Sequence, residues 1–189
     1  MVNKFKFRES LCVLMVLLPC FMQISCGDDN ADPVLYDVSP INFVIEITDG
    51  EGNNLLNPEY EGNILDLGIV MDYDGKSYPV DVNTQTNYPH LKASRYYLPE
   101  FYGLQAYHQI AGESINRWVL SFGEFEAQTQ CAEYDCTLRL ENLGLSYDLK
   151  AVATFQDGIS NRKFYLDGQL LDGTNVYHII IDNSSLSGD

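Results

Sequence analysis

The densest run of side chains suited to recognition chemistry lies between Arg95 and Tyr107, where Tyr96, Tyr97, Phe101, Tyr102 and Tyr107 fall within a dozen positions. Exposed on one surface, these rings would form a ligand platform that stacks on sugars, with Arg95, Glu100 and His108 bonding hydroxyls. Turned inward, they would seal one end of a sheet sandwich, their hydroxyls bonded to backbone. Sealing is the commoner fate of such a cluster, and carbohydrate stacking is the more specific chemistry. A second pair, Cys131 and Cys136 in Cys131-Ala132-Glu133-Tyr134-Asp135-Cys136, suits a disulfide across a short hairpin, because facing positions bring side chains close. No second cysteine or histidine pair lies near them to make a metal site.

Other chemistries find less support. Asp49, Glu51, Asn53 and Asn54, or Asp72 and Asp74, carry the hard oxygens that calcium prefers. Neither loop has the twelve-residue spacing with a terminal Glu, and turn geometry accounts for Asp-Gly and Asn equally well. His90, His108 and His178 are isolated, without the paired spacing of a zinc site. No serine sits in a Gly-x-Ser-x-Gly turn and no glycine loop is built to cradle phosphate. The abundant carboxylates leave a glycosidase-type acid–base pair open by composition alone. No cofactor, metal or catalytic residue is expected.

Cys26 bears on location. Lys4, Lys6 and Arg8 precede an apolar run of 12 residues, Leu11–Met22, and the polar stretch Gly27-Asp28-Asp29-Asn30-Ala31-Asp32 follows. A spanning helix needs about 20 apolar residues, so the layout is that of a secretory signal. With Ile24 and small Ser25 before it, Cys26 resembles the acylation site of a bacterial lipoprotein; Gln23 stands where that pattern usually has an aliphatic residue. A diacylglyceryl group plus an N-acyl chain would hold the protein to a bilayer without a span. Residues 1–25 are then signal peptide, 26–37 a lipidated cysteine and polar tether, and 38–189 a single domain.

Loss of the signal removes Lys4, Lys6, Arg8 and Glu9 and leaves 8 basic and 26 acidic side chains. Such a surface repels nucleic acid. The mature 164 residues suit one domain with a sizeable core.

The elements that must position these groups read as strands. Asn42–Thr48, Leu67–Tyr73, Lys76–Val82, Arg117–Phe125, Thr137–Leu140, Tyr147–Phe155, Lys163–Leu166 and Val176–Ile181 are rich in branched and aromatic residues, with Asp74-Gly75, Asp157-Gly158, Asp167-Gly168 and Asp172-Gly173 as turns. Leu104–Ile110 is also compatible with one or two helical turns. Short strands at regular spacing, without alternating helices, predict an all-β, mostly antiparallel sandwich.

Val38–Phe43, Asp49–Pro58, Arg95–Leu104 and Arg162–Gly168 resemble the recurring blocks of a family of uncharacterised Bacteroides-type surface lipoproteins. Where some relatives carry Trp-Gly-Asp-Gly after the Phe122-Gly123-Glu124-Phe125 strand, this chain has Ala127-Gln128-Thr129-Gln130-Cys131. The resemblance implies an immunoglobulin-like sandwich and an outer-membrane anchor, and brings no activity with it. The expected protein is a lipid-anchored cell-surface module, non-enzymatic, that binds or supports, with glycan or another surface protein as partner. A polysaccharide hydrolase and an adhesion component are the alternatives.

Overall fold

Strand β1 (Ile41–Asp49) sets the pattern of the molecule. Ile41, Phe43, Ile45 and Ile47 point to one face and are buried, while Asn42, Val44, Glu46 and Thr48 point to the other. A period of two with one apolar face is the sequence of a strand packed on one side. The structure, a computed structural model, describes residues 39–86, 101–111, 115–127, 131–156, 159–173 and 175–186.

The remaining strands among the described residues are β2 (Ile69–Tyr73), β3 (Lys76–Pro79), β4 (Asp81–Thr86), β5 (Gln105–Ala111), β6 (Ile115–Phe125), β7 (Ala132–Leu140), β8 (Leu145–Gln156), β9 (Ile159–Leu166), β10 (Gln169–Leu170) and β11 (Val176–Ile181), with a 3-10 turn at Glu141–Leu143 and a short helix at Asn183–Leu186. They form two sheets, of order β11-β1-β6-β5-β4 and β10-β9-β8-β7-β2-β3. Pairing is antiparallel except β1 with β11 and β4 with β5. The core between the sheets takes Phe43, Ile45, Leu120, Phe122, Tyr177 and Ile179 from the first and Met71, Cys136, Leu138, Leu149, Ala151 and Phe164 from the second. The protein is an all-β sandwich.

Two hairpins are made as their Asp-Gly pairs require. Asp74 and Gly75 both have positive φ (50° and 71°), and Tyr73 pairs with Lys76 across them. Asp167 and Gly168 repeat the arrangement at 49° and 77° between Leu166 and Gln169. The Asp157-Gly158 turn lies outside the described residues.

Three expectations are corrected. The run Lys76–Val82 is two strands: it leaves the second sheet after Pro79 and enters the first at Asp81, with the Val80 N–H bonded to the Ile69 carbonyl and the Asp81 N–H to the Leu104 carbonyl. Leu104–Ile110 is not helical: its backbone pairs with β6 from Gln105↔Ser121 to Ala111↔Ile115. Cys131 and Cys136 form no disulfide. They lie on one extended segment, Cys136 within β7 and Cys131 just before it. At about 3.4 Å per residue they are about 17 Å apart, against about 5.5 Å between the Cα atoms of a bridged pair.

Candidate functional site

The aromatic block divides between surface and interior. Tyr96 and Tyr97, with Arg95 and Glu100, lie outside the described residues, as do Cys26 and the tether. Phe101 is exposed at 43 %, and its ring lies 5.4–6.0 Å from Tyr73, Tyr78, Phe122 and Phe125. Tyr102 is half-buried, its hydroxyl 3.2 Å from Ser121 Oγ. Tyr107 is buried, and burial pushes its phenol up to about 12. Tyr102 and Tyr107 are therefore not partners of Phe101 on one open surface. The rings around Phe101 fill one end of the sandwich, where Phe125 also meets Tyr134 at 4.6 Å. His108 stacks on Trp118, ring planes 11° apart, with Nε2 2.6 Å from Asn116 Oδ1.

The acidic loops are consumed by their own turns. Asp49 Oδ1 accepts the N–H groups of Glu51 and Asn53, and Oδ2 accepts the Asn53 amide and the Tyr60 hydroxyl. The Asn53 side-chain bond does most to hold Asp49 below the usual carboxylate range. Asn54 is likewise engaged, with Leu56 N–H and the Trp118 carbonyl. Asp72 is held by Arg139 and Ser77. No cluster of three potential metal ligands occurs among the described residues, and no helix there is long and apolar enough to cross a membrane.

A groove of about 760 Å³ lies along β7, β8 and β9, on the face of the second sheet turned away from the core. Period-two alternation builds it. Tyr134, Cys136 and Leu138 turn inward on β7, so Glu133, Asp135 and Thr137 turn outward. On β8, Leu149, Ala151 and Ala153 turn inward, leaving Asp148, Lys150, Val152 and Thr154 outside. On β9, inward Phe164 leaves Asn161, Lys163 and Tyr165 outside. The registers align these side chains in rows: Asp135–Lys150–Tyr165, then Glu133–Val152–Lys163.

The two halves of the groove differ. At the β7–β8 side the polar groups hold one another. Lys150 Nζ lies 2.6 Å from Glu133 and 3.6 Å from Asp135, and Thr137 donates to Asp148 at 3.0 Å. The Glu133 bond is the main cause of the raised Lys150 pKa. On the β8–β9 side, Val152 and Tyr165 are diagonal neighbours and make a short apolar strip. Around it Lys163, Asn161, Thr154 and the Tyr165 hydroxyl have no partner within the described protein. The arrangement offers one aromatic face, an apolar floor and a rim of free donors and acceptors.

No aromatic cluster announced this groove in the sequence. The available signal was the polar half of three alternating strands. Buried Cys136 borders it from beneath, with its thiol pushed up to about 12 by burial, whereas Cys131 is exposed. No protein-family model matches the chain, and neither does any curated protein or solved structure.

Proposed function

We propose that this protein is a lipid-anchored module of the outer-membrane surface, immunoglobulin-like, that binds a glycan along the outer face of β7–β9. The observation that carries the reading is the groove itself: a half-buried tyrosine face beside Val152, with unpartnered polar groups on the same face. Sugars present alternate apolar C–H faces and hydroxyl rims, and an amphipathic aromatic with nearby donors and acceptors complements both. The anchor rests on Cys26 and the signal-like segment before it, which are features of the sequence.

Binding is better supported than hydrolysis. A hydrolase needs one carboxyl that holds a proton until it is delivered. Glu133 and Asp135 share the Lys150 ammonium, at 2.6 and 3.6 Å, so both carboxyls are already engaged by a cation on the groove face. A pair so arranged suits hydrogen bonding to hydroxyls more than acid catalysis.

The test is a glycan array probed with the full-length protein and its Tyr165→Ala variant. Binding by the parent and its loss in the variant is the expected result. Uniform silence of the parent would remove the glycan reading and leave a protein-binding or structural role.

A further inference from the structure

We infer that the bound glycan carries carboxylates and that Lys163 is the residue that reads them; the inference rests on the glycan reading of this groove. In a chain with 27 acidic and 11 basic side chains, a cation has every opportunity to be paired. Among the described residues Arg117 pairs with Glu46, Arg139 with Asp72 and Glu141, and Lys150 with Glu133 and Asp135. Arg162 donates to the carbonyls of Ser39 and Pro40. Among the described residues Lys76, beside the β2–β3 turn, and Lys163 have no partner, and of these only Lys163 lines the groove.

Lys163 stays free because of where the neighbouring acids sit. Glu133 is the carboxylate in its row, but it lies two strands away, about 10 Å from backbone to backbone, and is already bound to Lys150. Asp135 shares the same lysine, and Asp148 is held by Thr137. These three acids are committed to other donors, and Asp172, which follows Leu171 alongside β9, forms no ion pair with Lys163 among the described residues, so an ammonium with three donors faces the groove two residues from Tyr165. A pyranose seated over Tyr165 and Val152 would bring a ring substituent toward that ammonium. A carboxylate accepts charge-assisted bonds there, whereas a neutral hydroxymethyl gains much less.

The strong net negative charge does not oppose this at contact range. The Debye length is about 8 Å at physiological ionic strength, so carboxylates remote from the groove are largely screened, and of the groove's own acids Glu133 and Asp135 are paired with Lys150 while Asp148 accepts from Thr137. They do disfavour dense polyanions on approach, which points to a glycan with separated uronate units rather than a heavily sulfated chain.

The experiment compares uronate-bearing polysaccharides with their own carboxyl-reduced forms, titrated by calorimetry into the full-length protein and its Lys163→Gln and Tyr165→Ala variants. The expected result is about three- to ten-fold tighter binding of the uronate form within at least one pair, as an exposed, charge-assisted contact supplies. K163Q should bring the two forms to near-equal affinity, while Y165A should weaken both. Equal or tighter binding of every reduced form, or a uronate preference that survives in K163Q, overturns the inference and leaves the glycan reading intact. Failure of every form to bind the parent protein overturns both.

Discussion

The phenol of Tyr177 on β11 crosses the sandwich interior and donates to the backbone carbonyl of Lys150 on β8 at 2.9 Å. Tyr177 is fully buried, stacked on Phe43 and edge-on to Phe164, so one side chain of the first sheet is tied to the strand at the centre of the groove. Burial holds its hydroxyl protonated far above the ordinary tyrosine range. It is therefore a permanent donor at all physiological pH values. Tyr177→Phe should keep the fold and cost about 1 kcal/mol in urea unfolding, the typical net worth of such a bond. An unchanged midpoint would show that the bond carries no stability.

Gly123 should tolerate no side chain. Its φ is 96°, and a Cβ placed there would stand 2.1 Å from the Phe125 ring. That ring is itself packed against Phe43, Tyr73, Phe101 and Tyr134 and has nowhere to go. Backbone strain and overpacking together predict a loss of about 2–4 kcal/mol for Gly123→Ala. Chemical denaturation measures it directly, and a loss under about 0.5 kcal/mol would contradict this packing.

The two cysteines should differ sharply toward alkylating reagents. Exposed Cys131 should react with iodoacetamide in the native protein within minutes, while Cys136, buried and with its thiol pushed up to about 12, should react only after unfolding. Mass spectrometry after a native pulse distinguishes them. Recovery of an intramolecular bridge would require β7 to be broken between these positions.

Acid should weaken the fold through Asp49 and Asp72. Both have folded pKa values below the unfolded value of about 3.9, Asp49 chiefly through Asn53 and Asp72 chiefly through Arg139. A depressed carboxylate pKa adds stability that is complete above the unfolded value and disappears as pH falls through the folded one. The thermal midpoint should thus decline as pH drops below about 4, and Asp72→Asn should flatten part of that decline. A midpoint independent of pH between about 5 and 2 would contradict the linkage.

The proposed lipid anchor predicts that Cys26→Ala abolishes incorporation of a clickable fatty acid and leaves the protein soluble or as precursor. Equal labelling of parent and variant would place the lipid elsewhere or nowhere.

The sequence by itself determined the class of fold. Alternation along Asn42–Thr48 and Tyr147–Phe155 and the positive-φ turns at Asp74-Gly75 and Asp167-Gly168 are local properties, each settled by residues within a few positions of one another. What needed the tertiary structure is non-local. Leu104–Ile110 carries no clear periodicity, and only the partner strand β6 makes it β5. Val80 marks a change of sheet because the Ile69 and Leu104 carbonyls lie on either side of it. The groove is the furthest from the sequence: Glu133, Lys150 and Tyr165 are scattered over three strands, and each looks like an ordinary solvent-facing residue until the registers align them. Local sequence dictates which way a side chain faces, but hydrogen-bonded register between distant strands decides which side chains share a site.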